Sequence, residues 1–226
     1  MRYRIKKVTS QKKSSSRVTL HFANLVIGIS AKVFSENNLS SGIYLSSSDL
    51  KKIISADFLE KAVDKGLRLI GNRPHSEAEI SQKLRVYLGK TIKMTSQKTK
   101  LDFTEILLNV CADALAVLKS KDFVNDEVFT NWWIEQRAEF RPRSKRQLYF
   151  ELVQKGIKRD LIERKLSGVD YDEKSAAVLL IEKKLKIMPK SMSDTEKKNR
   201  LIAFLSRKGF SFSQIIDLID ERLIRR

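Results

Sequence analysis

The chain has 226 residues, of which 42% are hydrophobic and 32% are charged, a balance typical of a folded chain and not of a disordered one. It carries 45 Lys and Arg against 27 Asp and Glu, and a formal net charge of +18 attracts polyanions such as nucleic acids. No apolar run reaches the roughly 18 residues of a membrane span, and the N-terminal MRYRIKKVTSQKK lacks the apolar core of a signal peptide. We therefore expect a cytoplasmic protein with no membrane partner.

The few metal-binding or nucleophilic side chains do not indicate an enzyme. Cys111 lies in the apolar segment ILLNVCADALAVL and is interpreted as a small core residue. His21 and His75 lie in unrelated segments with no Cys or second His nearby, so no metal site is predicted. The chain also lacks a G-x-x-x-x-G-K-[ST] loop for nucleotide phosphates. We expect no cofactor and no catalytic activity.

The first fifty residues differ from the rest because they contain short alternating or β-branched apolar segments, which predict strands. Strands are predicted around residues 3–8, 18–22 and 26–29. The polar segment 10–17 (SQKKSSSR) is interpreted as a connector, and residues 22–25 as a turn. A sheet this small is marginal alone, so we expect it to pack on the helical part or to move relative to it.

From about residue 47 the apolar residues follow a helical period, and four helix starts resemble capping boxes. In a capping box, a Ser side chain and a Glu or Gln three residues later satisfy each other's backbone donors. The four pairs are Ser76 with Glu79, Ser144 with Gln147, Ser193 with Glu196, and Ser211 with Gln214. Two glycines, Gly156 and Gly209, follow apolar stripes and are predicted to end helices.

The spacing of these starts indicates an internal repeat. Ser144 and Ser193 are 49 residues apart, whereas Ser76 and Ser144 are 68 apart and enclose the Lys- and Thr-rich KTIKMTSQKTK. We interpret residues 90–103 as an inserted loop, because its removal leaves modules of similar length. The predicted fold is mainly α. Three tandem three-helix repeats stack into an elongated curved body, with a small β-rich N-terminal segment.

The predicted boundaries follow from these starts and ends. The domains are a β-rich head at 1–50 and repeats at 51–120, with the insertion at 90–103, at 121–168 and at 169–226. The predicted helices are 58–72, 76–88 and 103–120 in the first repeat, 126–139, 144–155 and 158–167 in the second, and 172–187, 194–207 and 211–224 in the third.

Four segments resemble the signature motifs of the RecX family, in the right order and spacing. They are 73–84 (RPHSEAEISQKL), 123–137 (FVNDEVFTNWWIEQR), 141–157 (RPRSKRQLYFELVQKGI) and 198–211 (KNRLIAFLSRKGFS). The resemblance covers about residues 58–222. The chain departs from the family pattern at Asp122, where Gly is usual, at Thr130, where Ala is usual, and in the longer segment 90–103.

This resemblance implies a non-enzymatic regulator of homologous recombination, DNA repair and the SOS response. RecX-like proteins lie in the groove of the RecA–DNA filament, hinder its extension, and reduce its ATPase, strand-exchange and repressor-cleavage activities. The implied partners are the RecA recombinase filament and single- and double-stranded DNA, bound without sequence preference. We expect this chain to act as a monomer.

The residues themselves suggest where the contacts lie. Phe129 and Trp133 are four apart on one helix face and are interpreted as core residues, whereas Trp132 is expected to be partly exposed. The basic residues of 137–146 could be only a solvated helix entrance. They could also form a contact with a polyanion, because such a partner would relieve their mutual repulsion. The predicted DNA- or RecA-binding residues are Arg73, Arg137, Arg141, Arg143, Lys145, Arg146, Lys155, Arg200, Arg207 and Lys208.

Two other classes of protein share some of these features. A helix-turn-helix transcription regulator also has short capped helices and positive charge. It would discriminate strongly among duplex sequences and bind spaced half-sites as a dimer. A nucleic-acid enzyme would need a cluster of metal-binding carboxylates, and the carboxylates are instead scattered beside Lys and Arg on helix faces.

Overall fold

The structure, a computed structural model, describes residues 2–11, 14–168 and 171–224. The chain divides into two units, Met1–Asn125 and Asp126–Arg226. The strands are β1 (Arg2–Arg4), β2 (Lys7–Gln11), β3 (Ser14–His21), β4 (Val26–Ser30) and β5 (Tyr44–Ser46). The helices of the first unit are α1 (Ala31–Glu36), α2 (Ser47–Ile70), α3 (Glu77–Thr99) and α4 (Leu107–Ser120), the last preceded by a short 3₁₀ turn (Thr104–Ile106). Those of the second unit are α5 (Asp126–Phe140), α6 (Lys145–Gln154), α7 (Arg159–Gly168), α8 (Glu173–Lys186), α9 (Asp194–Ser206) and α10 (Phe212–Ile224).

The prediction of a mainly helical chain with a small β-rich N-terminal segment is confirmed. Among the described residues, no helix is both long enough and apolar enough to cross a membrane.

The head contains an antiparallel sheet in the order β2-β3-β4 and a separate antiparallel pair of β1 with β5. Leu20, Ile27 and Ile29 are buried, so this sheet has one face in the core. The predicted turn at 22–25 is present, since the Phe22 amide donates to the Leu25 carbonyl at 2.8 Å.

The prediction of a polar connector at 10–17 was wrong. Its last residues belong to β3 and pair with β2 and β4, while Lys12 and Lys13 lie outside the described residues. A strand needs only backbone pairing, and a polar side chain can occupy its solvent face, so a run of Ser residues does not exclude one.

The head and the first helices share one core. Ile5 and Leu20 from the head belong to the same buried cluster as Phe58 of α2 and Leu84 of α3. A buried carboxylate joins the two parts: Asp57, 2% exposed, accepts the Ser30 amide at 2.7 Å. It also pairs with Arg17 at 3.1 Å and Lys61 at 2.8 Å, so its charge is compensated inside the unit.

Two helices of the first unit are longer than predicted. Helix α2 begins at Ser47 instead of 58, because Ser46 and Asp49 form a full capping box in which Asp replaces the expected Glu or Gln. The loop predicted at 90–103 was also wrong, since α3 continues to Thr99. Residues 90–99 contain no Gly or Pro to end the helix, and Ile92 is buried, so one face of this segment packs in the core. The helix ends only at Lys100, where φ is +61°.

The six helices of the second unit lie within two residues of their predicted bounds. Ser144 and Ser193 cap their helices as predicted, with the Ser193 box complete on both sides. A single buried cluster joins all six helices and includes Phe129, Leu152 and Ile181, each fully or almost fully buried. The prediction that Phe129 packs in the core is confirmed.

Gly209 sets how closely the turn between α9 and α10 approaches the start of α6. Its φ of +91° is in the left-handed region, and a Cβ there would lie 2.3 Å from Ser144 Oγ and 2.9 Å from Gln147 Cβ. The neighbouring Ser144 amide donates to the Lys208 carbonyl at 3.1 Å. The turn can therefore pack against the capped end of α6 only because residue 209 has no side chain.

Gly209→Ala should lower the free energy of unfolding of the second unit by about 2 kcal/mol or more, because strain at positive φ adds to the clash with Ser144. Thermal unfolding followed by the fluorescence of Trp132 and Trp133 measures this change. Gly42→Ala is the matched control, with φ of +95° and nothing within 4 Å of its added Cβ. It should cost only the conformational part, about 1 kcal/mol, measured by circular dichroism. Equal losses would show that the contact with Ser144 contributes nothing.

Candidate nucleic-acid interface

Glu151 of α6 is the partner of several predicted contact residues. Its Oε2 accepts the Arg137 Nε–H at 2.7 Å and the Trp133 Nε1–H at 3.0 Å, and its Oε1 lies 3.5 Å from Arg143 Nε. The Glu151 side chain is 14% exposed, so these interactions are largely shielded from water. The carboxylate thus ties α5 and the turn after it to α6.

The Trp133 ring lies against two cations. The Arg137 guanidinium lies 4.3 Å from its centroid and the Lys155 ammonium 4.9 Å. Trp133 is only partly buried, so its predicted place in the core is confirmed in part. Trp132 is partly exposed, as predicted. Arg137 and Lys155 therefore help to hold α5 on α6.

The turn between α5 and α6 is fixed by backbone hydrogen bonds. The Tyr171 hydroxyl accepts the Arg143 amide at 3.1 Å and donates to the Arg143 carbonyl at 2.5 Å. Burial is the main cause that raises the pKa of Tyr171, so this hydroxyl keeps its proton at neutral pH. The Lys145 amide donates to Glu173 Oε1 at 2.9 Å, which attaches the start of α6 to the start of α8.

This arrangement brings a group of cations together. Arg141, Arg143, Lys183 and Lys208 line one cleft of about 340 Å³, together with Phe140, Pro142 and Leu180. Burial, followed by the charges of Arg143, Arg141 and Arg207, lowers the pKa of Lys208. We call Arg141, Arg143, Lys183 and Lys208 the cationic cleft.

The four cations of the cleft differ in whether they have an acidic partner. Arg143 lies next to Glu151, whereas Arg141 and Lys183 form no ion pair with any residue that the structure describes. The Lys208 ammonium lies 5.5 Å from the centroid of the Phe204 ring. Among the charged groups that shift its pKa, Glu151 has the smallest effect. The cleft therefore concentrates positive charge that neighbouring carboxylates do not neutralise.

The other predicted residues are dispersed. Arg73 belongs to the first unit, where it forms a two-pronged pair with Glu79 at 3.0 and 3.1 Å and supports the start of α3. Arg146 is exposed and lies 5.9 Å from the Phe150 ring. Arg200 and Arg207 are exposed. The hydrogen bonds from Ser193 are the main cause that lowers the pKa of Glu196, and the charge of Arg200 lowers it further.

The histidines have ordinary structural partners. His75 is buried, its Nδ1 lies 2.9 Å from the Arg73 carbonyl oxygen, and burial lowers its pKa. His21 Nε2 lies 2.9 Å from the Thr9 hydroxyl. In the described ranges no group of three His, Cys, Asp or Glu is placed to hold a metal ion.

Two family models match the second unit of the chain. Residues 125–166 match the family model described as RecX, second three-helix domain, and residues 171–219 match RecX, third three-helix domain. The regulatory protein RecX of Chlorobaculum tepidum is 31% identical over 160 residues, which cover 70% of this chain and 86% of that protein. The chain belongs to the RecX family. The regulatory protein RecX of Clostridium botulinum is 26% identical over 97% of this chain and 96% of its own length.

Solved RecX structures have the same fold. A crystal structure of regulatory protein RecX, 19% identical, has a TM-score of 0.62 and covers 97% of this chain and 99% of its own. The crystal structure of RecX from Lactobacillus salivarius, 20% identical, has a TM-score of 0.54 and covers 76% of this chain and 99% of its own.

The structure divides the signature residues of this RecX chain into two groups. In the first group, Arg73, Arg137, Arg143 and Lys155 have partners inside the protein, and Arg143 also lines the cleft. In the second group, Arg141 and Lys208 line the cleft and form no ion pair with a described residue. Sequence reasoning missed Lys183, which lies in none of the segments that resemble the family motifs. Its position on α8 among exposed bases (EKKLK) gave no local signal, since a charged run on a helix is usually a solvated face.

Glu151→Gln should lower the free energy of unfolding by about 1–3 kcal/mol, because two guanidinium groups lose a partly buried negative partner. The emission of Trp133 should also shift, since its indole N–H donates to the altered group. Chemical unfolding followed by tryptophan fluorescence measures both effects. Glu182→Gln is the control, because Glu182 is 48% exposed and, among the described residues, its ion-pair partner is Arg222 at 3.5 Å. It should change stability by less than about 0.5 kcal/mol. A control variant that is as unstable as Glu151→Gln would contradict the role given to Glu151.

Proposed function

We propose that this chain regulates the RecA recombinase by binding the RecA–DNA filament, and that it inhibits the recombinase, ATPase and coprotease activities of RecA. It would act in the cytoplasm, in recombination, DNA repair and the SOS response. Membership of a family of regulatory proteins supports this proposal, and the cationic cleft is the observation that carries its DNA-binding part.

The distribution of charge favours a polyanionic partner over a solvated surface. In a merely solvated surface, cations are dispersed and each stays fully hydrated. Here the backbone of the α5–α6 turn and the Gly209 turn hold Arg141 and Lys208 in the same cleft as Lys183. Burial is the main cause that lowers the pKa of Lys208, and the charges of Arg143, Arg141 and Arg207 lower it further; a bound anion would offset that repulsion.

Contacts of this kind do not discriminate among sequences. Phosphate oxygens are the same in every nucleotide, so cations that bind them position the protein without reading bases. We expect binding to single- and double-stranded DNA that depends strongly on salt. Inhibition would follow from occupancy of the filament, and it needs no covalent step and no cofactor.

RecA-dependent ATP hydrolysis on single-stranded DNA should fall when this protein is added at less than one molecule per RecA monomer. A steady-state ATPase assay with RecA from the same organism measures this, because a bound regulator that blocks filament extension affects many protomers. Hydrolysis that stays unchanged at every ratio would refute the proposal. A strong preference for one duplex sequence in a parallel binding assay would instead support a transcription regulator.

A triple reversal, Arg141→Glu, Lys183→Glu and Arg207→Glu, should weaken DNA binding by about tenfold or more at roughly 0.1 M salt and reduce the slope of log K against log salt by about 2. The three side chains are exposed, so the helical circular dichroism should stay unchanged. Titration of labelled DNA at several salt concentrations measures both quantities.

The matched control changes the net charge equally in the first unit. Lys90, Lys93 and Lys98 are exposed on α3, and their reversal to Glu should have a much smaller effect. If the two triple variants lose affinity equally, net charge alone determines binding and the proposed location is wrong.

A further inference from the structure

An aromatic ring stands exposed at the edge of the cationic cleft. Phe140 is the last residue of α5, its side chain is 62% exposed, and it lines the cleft together with Arg141 and Lys183. A large exposed ring is costly in water, and no ring contact involving Phe140 is found in the part of the chain that the structure describes. It therefore has a face that a planar ligand can cover.

We propose that the cleft binds one nucleotide of a single strand, with its phosphate among Arg141, Lys183 and Lys208 and its base stacked on Phe140. This inference rests on the nucleic-acid part of the proposed function and deepens it. It assigns a chemical role to Phe140 and Lys183, which neither the sequence motifs nor the family resemblance singled out.

The composition of the cleft suits both parts of a nucleotide. Its four charged lining residues are all basic, and among the residues that the structure describes only Arg143 of these four forms an ion pair with a carboxylate. The remaining three come from the α5–α6 turn, α8 and the turn after α9, so they surround the cleft from different elements. Pro142 and Leu180 supply apolar surface against which a sugar can lie. The volume of about 340 Å³ is at the lower end of the range of about 300–1,000 Å³ for small-ligand sites.

The exposed ring favours a single strand over a duplex. Inside a duplex both faces of a base are covered by neighbouring bases, so a side chain can stack only on an unpaired one. Stacking of a base on an aromatic side chain is also tolerant of sequence, since every base has a π-face. A cleft that held free phosphate alone would have no use for Phe140.

Binding of the full chain to three labelled probes, without RecA, tests this assignment: a single-stranded oligothymidylate, an abasic strand of the same length, and a duplex. Fluorescence anisotropy gives each affinity. Phe140→Ala should weaken binding of the oligothymidylate about tenfold and leave the abasic strand and the duplex unchanged, because only the stacking is lost. Phe140→Trp should restore the affinity. Lys183→Gln should weaken binding of the oligothymidylate and the abasic strand alike, since it removes a phosphate contact.

Two control variants match the test variants in chemistry. Phe212 is 59% exposed at the start of α10, and Lys186 is exposed on α8, and neither lines the cleft. Phe212→Ala and Lys186→Gln should bind all three probes nearly as the unmodified chain does. Equal losses in test and control variants would overturn the assignment, as would a Phe140→Ala loss of the same size on the abasic strand. Displacement of the abasic strand by inorganic pyrophosphate at constant ionic strength would indicate a site for free phosphates instead.

The outcome is separable from that of the proposed function. If Phe140→Ala binds oligothymidylate as the unmodified chain does while the unmodified chain inhibits RecA, the nucleotide site is wrong and RecA regulation stands. If the unmodified chain leaves RecA unaffected but the probes show the Phe140 pattern, the cleft is assigned correctly and the regulation of RecA is wrong.

Discussion

The excess of cations over carboxylates is the constraint on which this structure depends. With 45 basic and 27 acidic side chains, at least 18 Lys and Arg residues cannot have an acidic partner of their own, so the positions of the few shielded carboxylates decide which cations serve the fold. Asp57 holds Arg17 and Lys61 in the first unit, and Glu151 holds Arg137 and Arg143 in the second. Removal of such a carboxylate leaves positive charges close together with nothing to balance them, which is why each is a point of weakness in the fold.

The same constraint produces the candidate site. A cation that the fold needs is placed beside a carboxylate, whereas Arg141 and Lys183 are placed beside other cations. Uncharged contacts help to hold the turn that carries Arg141: the Tyr171 hydroxyl forms hydrogen bonds with the backbone of Arg143, and Gly209 packs closely against Ser144. Because neutral hydrogen bonds and packing maintain the cleft, its charge remains available for a partner.

Much of the second unit was predictable because its signals are local. Ser at the N-cap, apolar residues at helical spacing and Gly after the last turn are read within about fifteen residues, and they located α5 to α10 closely. The first unit was harder. The start of α2 depends on Asp49 in place of the usual Glu or Gln, and the end of α3 depends on the burial of Ile92 in a core that is assembled from distant segments. A polar, Lys-rich segment resembles a loop until something apolar packs against one of its faces.

The amino-acid sequence by itself determined the class of the protein: a mainly helical, strongly basic chain with repeated capped helices and the motifs of the RecX family. It also determined which residue types were candidates for contact, since charge and spacing are properties of the chain. Only the tertiary structure decided which candidates are already paired. Arg137 and Arg141 are four residues apart and look alike in sequence, yet one lies against Glu151 and Trp133 and the other lines a cleft with Lys183. The physical reason is that an ion pair depends on distance in space and not on distance along the chain. The carboxylate that pairs with Arg137 is Glu151, 14 positions away, whereas Arg141 lies with Lys183, 42 positions away.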